Sequence, residues 1–333
     1  MGICVPTIGN GVLATRNLVL ETDMMSLSLL VLLGASVQPP AAFQMPFVAK
    51  DADAARDWQG RVRERLMQIV EAQNPRKEVP LDVEIGEFHD EVGYRKADLH
   101  FTSNENTRIE ATLTAPKGDG PLAAILCLHG HGGSREKAWD PHSEYQGFAA
   151  EFARRGFVTL SPTLAHCTYA PNQLWNLMRL VDVLEAQPFV DKNRIGVAGL
   201  SMGGEWTMWL TVCDPRVKAA VVSGWMCTTE GVLRVPNCPC WMPPGLLDLC
   251  DIAEVHILTA PRPLLFESAI EDGCFPIDAT RAGYEKVRKG YEVFGAANKV
   301  RQHTFSGGHA WNGGESYAFM EEALLGKTGP TTR

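Results

Sequence analysis

Apolar positions along the chain keep one period at a time, and the period changes twice. Residues 50–73 place Trp58, Val62, Leu66, Ile69 and Val70 on one face with charges opposite, which predicts a helix that Asn74-Pro75 ends. Three runs that alternate polar and apolar residues follow, at 81–87, 94–102 and 108–115, and Ser103-Asn104-Glu105-Asn106 turns the second into the third. They predict an antiparallel lead-in to a sheet. From residue 121 short apolar runs alternate with helical periodicity. Strands are expected at 123–128, 157–160, 195–198, 218–222, 263–266 and 300–305, and helices at 145–155, 173–186, 279–294 and 317–325. Repeated strand–helix units of this kind predict an α/β fold: a mostly parallel central sheet, right-handed crossovers and helices on both faces. In such sheets chemistry collects at the carboxyl ends of the strands.

The most informative stretch is residues 194–214, RIGVAGLSMGGEWTMWLTVCD. A buried-strand run ends in Gly199-Leu200-Ser201-Met202-Gly203. A helix then opens with Met202, Trp206, Trp209, Leu210 and Cys213 along one face. Strand, glycine-flanked serine and helix form the setting in which G-x-S-x-G acts as a nucleophile elbow. The helix N-terminus supplies unpaired N–H groups and the positive end of a dipole.

Composition narrows the partners more than the chemistry. The 333 residues carry a formal charge of −8 and contain no Lys/Arg runs, which argues against nucleic acid or an anionic membrane surface as the main partner. No apolar run reaches the length of a membrane-spanning helix. Residues 1–49 read as an extension and 50–333 as the catalytic domain. Residues 26–37 (SLSLLVLLGASV), after Met24 and Met25, fit an export signal without a basic leading segment, a poorly ordered extension, or an apolar segment packed on the body. The first case predicts export; without it the expected compartment is the cytoplasm. Nine cysteines are scattered through strands, helices and loops. Cys127 and Cys213 fall in apolar segments and read as buried hydrophobes. Cys227, Cys238, Cys240 and Cys250 lie close enough for disulfides, but their spacing matches no common zinc pattern.

A serine hydroxyl needs a base. His309 follows the last strand on Ser306-Gly307-Gly308, and the order serine, acid, histidine suits this fold. The acid that orients it is expected at Asp272, in the turn after the strand 263–266. Its neighbour Glu271 and, beyond the preceding strand, Glu230 are the alternatives. The oxyanion of a tetrahedral intermediate needs two donors. The backbone N–H of Met202 is one, and the N–H of His131, in His129-Gly130-His131-Gly132-Gly133, is the other. The His129/His131 pair has no third metal ligand nearby in sequence, and no metal or cofactor is implied.

Taken together, residues 128–133 (LHGHGG), 199–204 (GLSMGG), 214–217 (DPRV) and 260–265 (APRPLL) resemble the α/β-hydrolase superfamily, in its acetyl xylan esterase and dienelactone-hydrolase-like branch. The resemblance covers residues 50–326. It implies a serine hydrolase of short-acyl carboxylic esters, acting on a small-molecule or carbohydrate ester through Ser201, His309 and an acid. The spacing from Pro263 to the acid, with Pro276 following, matches Asp272 in that family. Related glucuronoyl esterases take the acid from the earlier strand, which keeps Glu230 open. Dienelactone hydrolases proper use a cysteine where this chain has Ser201. An oligopeptidase-like serine peptidase and a non-catalytic binding protein on the same fold are the rival readings. The missing propeller-sized region counts against the first, and the intact Ser201, Asp272 and His309 against the second. The proline- and cysteine-rich segment 226–262 is expected to roof the site.

Overall fold

The computed structural model describes residues 38–71, 78–117, 120–165, 170–236, 238 and 241–327. The apolar stretch 26–37 and Cys240 lie outside them. The body belongs to the unit Pro39–Arg333.

Ten strands form one sheet: β1 (Glu84–Ile85), β2 (His89–Asp90), β3 (Tyr94–Asn104), β4 (Thr107–Pro116), β5 (Leu122–Leu128), β6 (Val158–Pro162), β7 (Val190–Leu200), β8 (Val217–Ser223), β9 (Leu264–Ala269) and β10 (Val300–Phe305). Their order is β1-β3-β4-β6-β5-β7-β8-β9-β10, with β2 also pairing to β3. β6, β5, β7, β8, β9 and β10 are parallel neighbours, whereas β1 to β4 pair antiparallel and β4 meets β6 antiparallel. Burial follows the same division. β3 alternates buried and accessible residues, while β5, β6 and β9 are buried almost throughout, as a sheet covered on both faces requires.

The alternation of side chains along β5 separates two cores. Ala124, Leu126 and Leu128 join the cluster under the helices Ala52–Glu71, Ala170–Glu185 and Met202–Cys213. Ala123, Ile125 and Cys127 join the cluster under the helices Phe148–Arg154 and Ser316–Leu325. Strand register then aligns the carboxyl ends. Leu128 pairs with Gly199, Leu200 with Ser223, Ser223 with Glu267, and Glu267 with His303. One row across the sheet thus ends beside Ser201.

Two regions depart from the sequence reading. The strand expected at 81–87 is reduced to Glu84–Ile85: Asp82 takes a left-handed φ of 42° and interrupts the extended run, although Leu81 and Val83 pack partly buried against the main core. The irregular stretch 226–262 contains the short helices Thr229–Leu233, Leu246–Leu249 and Ile252–Val255 and a 3-10 turn, His256–Thr259. Four or five residues are too few to set up a readable period. Cys227 and Cys250 in this segment are buried free thiols. The N-terminal residues 44–47 lie against it: Gln44 N–H donates to Asp248 O, Met45 N–H to Leu249 O, and the Trp58 indole to Met45 O. Among the described residues, no helix is long and apolar enough to cross a membrane.

Candidate active site

β7 ends at Leu200, and Ser201 then takes φ 63° and ψ −123°, a backbone state that a non-glycine residue holds only when its surroundings fix it. Those surroundings are backbone. A Cβ on Gly199 would lie 2.3 Å from the carbonyl oxygen of Gly203, and one on Gly203 would lie 2.1 Å from that of Leu128. Only glycine lets the strand, the turn and the helix approach this closely. The Ser201 N–H donates to Ser223 O at 2.9 Å, and Ser201 O accepts from the Glu205 N–H at 2.9 Å. The serine is thereby stitched to β8 on one side and to its own helix on the other.

All twelve residues of the helix Met202–Cys213 are buried, not just the face that the sequence predicts. The helices Ala52–Glu71 and Ala170–Glu185 and the turn His256–Thr259 pack against it. Its polar residues are accommodated locally: Thr207 Oγ1 donates to Gly203 O, and Thr211 Oγ1 donates to Thr207 O. At its C-terminus Arg262 donates to Thr211 O at 2.6 Å and Arg63 to Val212 O at 2.8 Å. These contacts satisfy carbonyls that the helix leaves open and place positive charge at the negative end of its dipole. The arginine of the 260–265 stretch therefore anchors the helix that follows Ser201.

His309 stands on the loop after β10. Its Nδ1 pairs with Asp272 Oδ2 at 2.8 Å, and the Asp272 side chain is almost fully buried. The other oxygen, Oδ1, accepts the N–H groups of Cys274 at 2.8 Å and Phe275 at 3.2 Å, so the carboxylate is held at both ends. Phe275 stacks on the imidazole with ring centroids 5.8 Å apart. His309 Nε2 is buried without a hydrogen-bond partner. A Cβ on Gly224 would fall 2.8 Å from His309 Cε1, so the ring rests directly on the end of β8, next to the residue that pairs with Ser201.

The loop His129-Gly130-His131-Gly132-Gly133 covers the elbow from the other side, since a Cβ on Gly130 would lie 2.8 Å from Ser201 Cβ. Met202 is the first residue of the helix, where backbone N–H groups have no intrahelical acceptor. His131 sits at the turn of the loop, half-buried. His129 is not oriented for metal. Its Nδ1 pairs with Gly130 O at 2.9 Å, its Nε2 accepts the Leu164 N–H at 3.0 Å, and burial lowers its pKa, so the ring is neutral and fully used. Tyr145 lies under this loop. Its hydroxyl accepts the Gly130 N–H at 2.8 Å, and burial pushes its pKa up to about 12.

The other candidate acids lie elsewhere. Glu230 is exposed in the first turn of the helix Thr229–Leu233. Glu271 accepts the Gly307 N–H, and its own N–H donates to Gly307 O, so it fastens the histidine loop to the acid loop. Among the described residues, one group of three metal-type donors occurs, Asp272, Cys274 and His309, and two of its members already bond to each other. The sequence reading passes over Tyr145, Glu205 and Glu267. Glu205 is enclosed in the helix Met202–Cys213, and burial pushes its carboxyl up to about 8. A glutamate at Ser201 plus four reads as an ordinary helix position; only the second helical layer buries it.

A mostly parallel sheet preceded by an antiparallel hairpin, with a strained serine between β7 and its helix, is the arrangement of the α/β-hydrolase fold. The comparisons with known proteins agree. A model of the Abhydrolase family matches residues 163–310. YtaP of Bacillus subtilis (strain 168), a presumed hydrolase, is 22% identical over 247 residues, 65% of this chain and 79% of that protein. A presumed acetyl xylan esterase from Bacteroides fragilis NCTC 9343 superposes with a TM-score of 0.66 at 18% identity, over 84% of this chain and 81% of that one. A glucuronoyl esterase from Solibacter usitatus superposes with a TM-score of 0.65 at 17% identity, over 86% and 98%.

Proposed function

We propose that this protein is a serine hydrolase of carboxylic esters, with Ser201 as nucleophile, His309 as general base and acid, and Asp272 as the group that orients the imidazole. The observation that carries the reading is the 2.8 Å Asp272–His309 pair, set beside the elbow with Nε2 left unpartnered. A carboxylate on Nδ1 fixes the tautomer that leaves Nε2 to take the Ser201 proton and stabilises the imidazolium that forms. Ser201 Oγ then attacks the acyl carbon. The oxyanion is received by the N–H groups of Met202 and His131, the alcohol leaves with the proton from His309, and water releases the acyl group by the same steps. The names of the structural relatives, acetyl xylan esterase and glucuronoyl esterase, support a carbohydrate ester as the substrate class. A fluorophosphonate probe should label wild type at Ser201 and leave Ser201→Ala unlabelled. A folded Ser201→Ala enzyme that kept near-normal turnover on an ester panel would remove the assignment.

The acyl group is short in this reading. Phe275, which backs His309, packs edge-to-face on Trp225, and Trp225 on Trp241 of the 226–262 segment. The cavity they enclose with Cys227, Val232, Ile252 and His256 is only about 10 Å³. A site that buried a long chain would gain about 0.8 kcal/mol for each CH₂, and packed aromatic walls forgo that gain. On a p-nitrophenyl ester series kcat/KM should peak at acetyl to butyryl. A maximum at dodecanoate or beyond would show that these residues do not close the acyl site.

A further inference from the structure

His309 is delivered by a segment with little stiffness of its own. Between β10 and the helix Ser316–Leu325 the chain reads Ser306-Gly307-Gly308-His309-Ala310-Trp311-Asn312-Gly313-Gly314-Glu315, four glycines in ten residues. Ordering each residue of such a segment costs roughly 1–2 kcal/mol of conformational entropy. Something must therefore hold it where the imidazole meets Asp272. Glu271 holds the start of the segment from an exposed position, and the fully buried Trp311 donates its N–H to Glu144 O.

Trp311 also donates its indole N–H to Tyr317 Oη, Asn312 Oδ1 pairs with His303 Nε2, and a further fastening is a buried carboxylate. Glu267 lies inside β9 with no solvent exposure. Its Oε1 accepts the Gly313 N–H at 2.7 Å and the Ser316 hydroxyl at 2.5 Å, and its Oε2 accepts the Asn312 N–H at 3.2 Å. Its backbone oxygen accepts the N–H of Gly224, the residue on which the His309 ring rests. Glu267 thus touches both the segment that carries the histidine and the floor beneath it. It also falls in the row of strand ends that runs through Ser223 to Leu200, immediately before Ser201. A charged group is costly inside a sheet, and burial does raise its pKa while hydrogen bonds from Ser316, Asn312, Gly313 and Ser223 oppose that. Closing the sheet alone calls for an apolar residue here, as at Leu265 and Phe266 on either side of the strand. What a carboxylate adds is two acceptor oxygens with no donor, matched to three converging donors of the 312–316 segment.

We propose that Glu267 is a positioning residue for His309: by clamping Asn312, Gly313 and Ser316 it sets the register of the histidine loop against Ser201 and Asp272. The proposal rests on the esterase reading above. Glu267→Gln tests it, because the amide keeps size and shape but turns one acceptor into a donor facing other donors. The experiment compares kcat and KM on p-nitrophenyl acetate, from pH 5 to 9, for wild type, Glu267→Gln, His309→Ala and the double variant, with Ser201→Ala alongside. A shift of the imidazole by a fraction of an ångström to an ångström should lower kcat by about 10- to 100-fold, with KM changed less than about twofold. In the His309→Ala background the same substitution should leave the residual rate within about twofold, because effects carried through one group do not add. Ser316→Ala, which removes one donor and keeps the carboxylate, should reproduce the pattern at smaller amplitude and stands in if Glu267→Gln does not fold.

Unchanged kcat in Glu267→Gln overturns the clamp. So does an equal loss with and without His309, which marks a purely structural role. An active Ser201→Ala would instead overturn the esterase reading, so the two failures are separable.

Discussion

The serine side and the histidine side of this site meet over the end of β8 but are held there by opposite means. Ser201 is fixed by main chain against main chain: Gly199 on Gly203, Gly203 on Leu128, and its own N–H on Ser223. His309 is fixed by side chains from another strand and its loop, with Asp272 on the ring, Glu271 on Gly307 and Glu267 on Asn312, Gly313 and Ser316. The first arrangement is compact in sequence and intolerant of any added atom. The second is spread over fifty residues of chain and depends on which atoms are charged or can accept a hydrogen bond. Mutations should therefore damage the two sides differently. On the serine side, larger residues block folding of the turn; on the histidine side, isosteric changes of charge slow the reaction in a folded protein.

The sharpest break of that contrast is Asp272→Asn. The amide keeps the shape of the side chain but favours the wrong imidazole tautomer, and kcat should fall by roughly 10⁴ with the thermal midpoint little changed. Glu230→Gln, on an exposed helix turn, should leave kcat within about twofold. A reversed pair of results would transfer the acid role to the strand before it.

A smaller effect is expected on the serine side, where the Tyr145 hydroxyl accepts the Gly130 N–H beneath the 129–133 loop. Tyr145→Phe strands the Gly130 N–H under that loop, and an unsatisfied buried donor costs about 1–3 kcal/mol. Stability should drop by that order, measured by urea unfolding. The rate should fall about tenfold, since Gly130 directly precedes His131. A loss of stability with an unchanged rate would show that the loop keeps its place without the hydroxyl.

The mildest test concerns stability alone. Glu205 and Glu267 are both buried glutamates, but Glu267 meets three donors, whereas Glu205 has one carboxyl oxygen without a partner. Burial pushes the Glu205 carboxyl from 4.5 up to about 8. Between those values the unfolded chain releases the proton and the folded chain keeps it, so the folded state binds more protons and stability falls as pH rises. The slope from this group lies between about pH 4.5 and pH 8 and flattens above it. Glu205→Gln cannot ionise and should narrow the Tm difference between pH 5 and pH 8, with a gain at pH 8 on the order of a few kcal/mol. An unaltered Tm difference would mean that the carboxyl is solvated in the fold.

The same contrast explains what the chain discloses to a reader. The parallel core is legible because β5, β7, β8 and β9 are apolar on both faces, and the serine because its turn demands glycines at fixed offsets. His309 is legible from its place on a glycine loop after the last strand, taken together with the order serine, acid, histidine. The antiparallel lead-in is readable in β3 and β4, where alternation is strong; the run 81–87 keeps only the two-residue β1, and β2 at His89–Asp90 lies outside every run, both pairs of side chains being exposed. Glu267 is invisible because its partners lie 45 to 49 residues away, and nothing local in FESAIED marks a carboxylate as enclosed. Tyr145 is missed for a similar reason: it reads as the start of an amphipathic helix, and its hydroxyl partner is 15 residues back.

Arg63 and Arg262 reach the last carbonyls of the helix that follows Ser201 from within the fold, and all their acceptors are peptide oxygens. A guanidinium stays charged throughout the working pH range, and a peptide oxygen has no proton to gain. Dissolved ions weaken exposed charge pairs far more than enclosed ones. Surface pairs such as Arg301–Glu322 will loosen as electrolyte is added, but the far anchor of the elbow will not. The nucleophile should therefore hold its station in brine as well as in dilute buffer.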